Sequence, residues 1–148
     1  MELIEEIISL VDQKELTDFD TWKVIEIDHF GITKKDYRKI LNAKIGKETS
    51  GLYAFFQDDK CLYIGKAKSI IDRLLNHHGS ANEIKEPIKA KRWPAFFKKK
   101  KGVLKIRWIK IDDNNPMKGE ILRRLVESIL IERKKPEFEN PLEDSSED

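Results

Sequence analysis

Gly51-Leu52-Tyr53-Ala54-Phe55-Phe56, Gln57-Asp58-Asp59-Lys60 and Cys61-Leu62-Tyr63-Ile64-Gly65 follow one another as an apolar run, a polar break and a second apolar run. Leu52–Phe56 and Cys61–Ile64 are apolar and aromatic, as strands favour, because such side chains pack well on a pleated surface. The polar residues between them are of hairpin length. After Gly65 the apolar period lengthens. Ser69 with Asp72 is a capping-box spacing, and Ile70, Ile71, Leu74 and Leu75 then mark one face of a helix. Arg73 and His77 are four residues apart on that helix and share a face. A phenol (Tyr63), an ammonium (Lys66), a guanidinium and an imidazole thus gather at one strand-to-helix junction.

The helix is predicted to end near His78, where Gly79-Ser80 opens an irregular stretch containing Pro87 and Pro94. Val103 to Ile111 alternates as a third strand, with Leu104, Ile106 and Trp108 facing the core. Asp112 to Pro116 is a turn cluster, and Met117 to Arg133 is a long helix stopped by Pro136. Upstream, Glu2 to Val11 has helical spacing, and Thr33 with Asp36 caps a helix to about Ala43. Residues 16–30 fit either a short strand or a second helix. The reading is therefore a small α/β (α+β) domain with a three-stranded, mainly antiparallel sheet flanked by helices. Residues 1–48 form a helical appendage, 49–141 the main domain with a basic insertion at about 79–101, and 142–148 an acidic, disordered tail. The appendage is either a recognition unit of helix-turn-helix type or a packing layer.

With 148 residues, 39% hydrophobic and 38% charged, one domain with a heavily solvated surface is expected. No stretch is long and apolar enough for a membrane span, and no signal peptide is apparent, so a cytoplasmic protein is expected, nucleoid-associated if bacterial. The single cysteine, Cys61, excludes an intramolecular disulfide and a multi-cysteine zinc site. The net charge of +2 conceals its distribution. Residues 1–30 carry nine acids against two lysines, residues 85–110 carry eleven Lys or Arg against Glu86, and residues 137–148 carry six acids and no base. A basic block between acidic ends suggests a polyanion-binding face; a solvated lysine-rich loop is the plainer alternative.

The motif residues resemble the GIY-YIG nuclease family, whose two signature tripeptides read Gly51-Leu52-Tyr53 and Tyr63-Ile64-Gly65 here. The resemblance spans about residues 49–141. It implies that Tyr53 and Tyr63 are the paired signature tyrosines, that Lys66, Arg73 and His77 hold the family's positions on the following loop and helix, and that Glu127 is the metal-binding glutamate. Asn140 resembles the asparagine that closes the motif, although it lies four residues after Pro136 rather than three. The implied activity is endonucleolytic hydrolysis of DNA phosphodiesters with Mg²⁺ or Mn²⁺, one ion per site. The implied setting is a stand-alone restriction-like or repair-like enzyme. The alternative is a non-catalytic DNA- or RNA-binding module on the same fold.

The chemistry suits these residue types. A single carboxylate suffices for Mg²⁺, which keeps most of its waters and takes phosphate oxygens as further ligands. Arg73 can grip a phosphate with its planar fork, and Lys66 adds a point charge. A phenol, whose ordinary pKa is about 10, can act as general base only where nearby cations lower it. Tyr63 is assigned that role; His77 is a partner to Tyr53 or to the attacking water, or shares the base's duty. The interval from Arg73 to Glu127 is longer than in compact family members, and the excess falls in the basic stretch. Lys91, Arg92, Lys98, Lys99, Lys100 and Lys101 are accordingly read as phosphate contacts, with Trp93, Phe96 and Phe97 either core anchors or stacking groups. DNA, structured or branched forms included, is the expected partner, with RNA left open; no membrane partner is expected, and the oligomeric state is not legible. Each residue also has an ordinary explanation: packing for the tyrosines, an ion pair for Arg73, a surface position for His77, and helix-face pairing with Arg123 or Arg124 for Glu127.

Overall fold

Ile25 and Ile27 alternate with charged residues, and this short period-2 run resolves as a strand once its partner is known. The protein is seen in a computed structural model that describes residues 5, 9, 14–29, 31–83, 100, 102–111 and 116–138. In chain order the elements are a one-turn helix α1 (Lys14–Thr17), a 3-10 turn (Phe19–Thr21), strand β1 (Lys23–Asp28) and helix α2 (Lys34–Lys44). There follow β2 (Gly51–Gln57), β3 (Lys60–Ala67), α3 (Ile70–Glu83), β4 (Val103–Lys110) and α4 (Pro116–Lys134). The helix expected over Glu2–Val11 (Glu5 and Ser9 aside), the turn at 112–115, Lys91, Arg92, Lys98, Lys99, Lys101, Asn140 and the tail lie outside the described residues.

The sheet has four strands, not the three expected, in the order β1-β4-β2-β3, with every pairing antiparallel. The fourth is β1, which pairs Ile25 with Ile106 and Ile27 with Leu104. Six residues offer too few repeats for periodicity to separate strand from helix; a distant partner, β4, decides it.

β2 lies centrally and is buried on both faces, which explains its unbroken apolar run. Tyr53 and Phe55 join Ile25, Ile27, Leu104, Ile106 and Trp108 beneath Tyr37 and Leu41 of α2 and Ile70 and Leu74 of α3. Leu52, Ala54 and Phe56 face the other way, onto Leu122, Val126 and Leu130 of α4 and onto Leu16, Phe19 and Trp22. The hairpin closes in two residues. Asp58 and Asp59 have φ of 50° and 65°, between the paired Gln57 and Lys60, the geometry of a type I′ turn. Past α4, the Glu137 and Phe138 amides donate to the Cys61 and Leu62 carbonyls at 2.8 and 2.9 Å and cover the outer edge of β3.

Helix α3 continues to Glu83, through the Gly79-Ser80 pair where an irregular stretch was expected. Ala81 is fully buried in the core, and that packing outweighs a glycine's helix cost of about 1 kcal/mol. Both expected N-caps form: the Asp36 amide donates to the Thr33 hydroxyl and the Asp72 amide to the Ser69 hydroxyl. No described helix is long and apolar enough to cross a membrane.

Candidate active site

Tyr53 and Gly65 are cross-strand partners in the hairpin. A Cβ on Gly65 would lie inside the Tyr53 phenol, so the glycine is what allows that ring to cross β3 towards α3. There the Tyr53 hydroxyl lies 2.7 Å from His77 Nε2, both groups buried. Burial first, then the Arg73 charge, then that of His29, hold the His77 pKa well below the ordinary histidine value. The ring is therefore neutral near pH 7. It either accepts the phenol proton or donates to the phenol oxygen, according to tautomer.

Tyr63, at the other end of the signature, packs against the same histidine. Its ring centroid is 5.4 Å from that of His77 and 6.3 Å from those of Tyr53 and Phe138. Tyr53, Tyr63 and His77 thus form one aromatic cluster at the junction of β2, β3 and α3.

Beside the α3 N-terminus opens a cleft of about 450 Å³, lined by Lys66, Ala67, Lys68, Ser69, Asp72, Arg73, Glu120 and Arg123. Four of these are cations and two are carboxylates, so the cleft favours an anion. Lys66 comes from the end of β3, and Arg73 from the first turns of α3, fixed by the Ser69 cap. Glu120 and Arg123 come from α4, and Arg123 is only 2% exposed. Glu127 is half-buried one turn beyond Arg123, on the helix face that carries Glu120 and Arg123.

The structure thus brings Lys66 and Arg73 into one cleft and sets the tyrosine–histidine cluster on the same hairpin and helix. Glu127 is not among the residues that line the cleft; it follows Arg123 by one turn on the same face of α4. Lys100 does not line this cleft; it pairs with Glu137 at 2.7 Å, and Lys60 pairs with the same carboxylate at 2.6 Å. Lys68, Glu120 and a buried Arg123 are cleft residues that sequence reasoning missed. The available signal for Arg123 was its i, i+4 register with Glu127 beside the buried Leu122 and Val126.

Among the described residues no three His, Cys, Asp or Glu side chains cluster as a self-sufficient metal site. A site centred on Glu127 would offer one hard oxygen donor, which fits a hydrated Mg²⁺ or Mn²⁺ completed by phosphate and water, not a zinc cage.

No family model matches the sequence, and no curated protein matches it. Among solved structures, the chain is similar to the GIY-YIG N-terminal endonuclease domain of UvrC from Thermotoga maritima bound to its catalytic divalent cation, magnesium. The likeness runs at 21% identity over 73% of this chain and 100% of that one, with a TM-score of 0.47. Two point mutants of the same domain, each bound to the catalytic divalent cation, are similar at 21% identity and TM-score 0.45, covering 74% of this chain and all of theirs.

Proposed function

We propose that the chain is a GIY-YIG-type endonuclease that hydrolyses DNA phosphodiester bonds with Mg²⁺ or Mn²⁺, one ion per site. The observation that carries the reading is a single arrangement: the buried Tyr53–His77 hydrogen bond beside Tyr63, on the hairpin and helix that deliver Lys66 and Arg73 to a cationic cleft.

The residues have distinct duties. Arg73 and Arg123 hold the scissile phosphate and offset the charge that builds on its oxygens in the transition state. Lys66 sits where a point charge lowers the cost of forming an anionic nucleophile or phenolate nearby. Tyr63, as its phenolate, takes the proton from the attacking water and becomes the neutral phenol. His77 is neutral at working pH and fixes the Tyr53 phenol, whose ring in turn walls the site against Gly65. Glu127 would hold the divalent ion, which when bound supplies Lewis-acid stabilisation of the phosphate and leaving oxygens.

Supercoiled plasmid incubated with the protein and Mg²⁺ or Mn²⁺ tests this. Metal-dependent nicking or linearisation is expected, lost in Glu127→Ala and Tyr63→Phe. Cutting that persists unchanged in Glu127→Ala would remove that residue from the site, and binding without cutting would leave a non-catalytic module.

A further inference from the structure

A second groove, of about 380 Å³, adjoins the cleft and shares Ser69 and Asp72 with it. Arg38 and Asn42 of α2, Lys47 and Glu48 of the following loop, and Ile71 of α3 complete its lining. Its chemistry differs from that of the cleft. Two cations face two carboxylates, so a phosphate lodged here would meet repulsion as well as attraction. An amide, a hydroxyl, a guanidinium, carboxylates and an aliphatic wall instead supply donors, acceptors and an apolar surface. A nucleobase needs that mixture: Arg pairs with guanine, Asn with adenine, and a carboxylate accepts from the cytosine amine.

The groove is also built firmly. Asn42 stands one turn from Arg38 on the 11-residue α2, which is anchored in the core by Tyr37 and Leu41. The loop is fixed by the Thr49 hydroxyl, which donates to the Ile45 and Gly46 carbonyls at 3.1 and 3.0 Å, and by the Ile70 amide, which donates to the Thr49 carbonyl at 2.9 Å. Glu48 is held in the left-handed region, at φ 62°. Among the described residues, Arg38, Lys47 and Glu48 enter no ion pair with one another or with a neighbour, although their side chains line one groove.

We propose that this α2–α3 groove reads the base of a nucleotide flanking the scissile phosphate, with Arg38 and Asn42 as the specificity-determining residues. The proposal rests on the nuclease reading, which places nucleic acid in the adjoining cleft. Phosphates lie in the cleft, and the neighbouring base turns across the shared Ser69–Asp72 wall into the groove.

The test is a library of DNA duplexes with a randomised centre, digested by the full chain in Mg²⁺ and sequenced at the cut ends. The wild-type chain is expected to favour particular bases at a position beside the cut, by about tenfold, the usual size of one good base contact. Arg38→Ala and Asn42→Ala are each expected to flatten that preference. An even distribution for the wild type, or variants that keep its preference, would overturn the proposal. Uniform weakening across sequences in both variants, with a shallower salt dependence in Arg38→Ala, would make the groove a phosphate contact and overturn it equally. If the wild type cuts nothing, the nuclease reading fails separately. The same library is then sequenced after retention on the protein: enrichment that Asn42→Ala abolishes supports the groove, and absent enrichment or absent binding defeats it.

Discussion

Gly65 and Tyr53 share one volume, and much of the site depends on that. Replacing Gly65 with alanine forces a methyl into the phenol, so the ring must leave its place against His77. Overpacking of this kind costs about 1–3 kcal/mol, and Gly65→Ala should lower the urea midpoint accordingly and depress cleavage. An unchanged midpoint would mean that the ring has room to move. Arg73 is a different case. It lines a solvent-reached cleft, and its planar fork matches phosphate where an ammonium does not. Arg73→Lys should reduce cleavage by about 10²-fold, the cost of one lost transition-state donor, with little change in melting temperature. Equal cleavage by the lysine variant would show that charge alone is used.

At the scale of elements, the hairpin turn carries two non-glycine residues in the left-handed region. Asp59→Gly should relieve this and stabilise the fold by up to about 1 kcal/mol in urea titrations, leaving cleavage intact; a destabilised variant would indicate that the carboxylate holds the turn. The elements also show what the sequence made legible. The hairpin, α3 with its Ser69 cap, β4 and α4 were readable because each carries its own period and its own stop signals. β1 was not, since Ile25 and Ile27 give two apolar beats and the evidence for a strand lies in β4, far along the chain. The end of α3 was missed because Gly79-Ser80 is a local stop signal, overruled by the burial of Ala81. Spacing puts Tyr63, Lys66, Arg73 and His77 at one strand-to-helix junction, whereas Tyr53 and Glu127 are singled out only by the family resemblance. Arg123 was not legible, because an Arg-Arg pair does not say which side chain turns inward.

Taken whole, the molecule buries a titratable cluster that should set its acid limit. His29 is fully buried, its Nδ1 lies 3.2 Å from the Tyr37 hydroxyl, and its ring is 5.2 Å from that of His78, whose Nε2 donates to the Ile32 carbonyl. Burial first, then the His78 charge, lower the His29 pKa to about 3. The unfolded chain therefore binds more protons than the native one below about pH 6.5, and stability falls as pH drops from there towards 3. His77, shifted the same way, adds to this. Unfolding free energies measured from pH 7.5 to 4 (roughly the span between the two ionisation limits) should decline, and His29→Gln should flatten the decline; an equally steep slope would place the acid sensitivity elsewhere. In the proposed function the Tyr53–His77 cluster, the cationic cleft and Glu127 act as one hydrolytic site. The rate of duplex cleavage in Mg²⁺, compared between wild type and Glu127→Ala at matched DNA affinity, checks this. Cleavage should require the metal and fall at least about 10²-fold in the variant while DNA is still bound. Metal-independent cleavage, or an unaltered rate in Glu127→Ala, would contradict it.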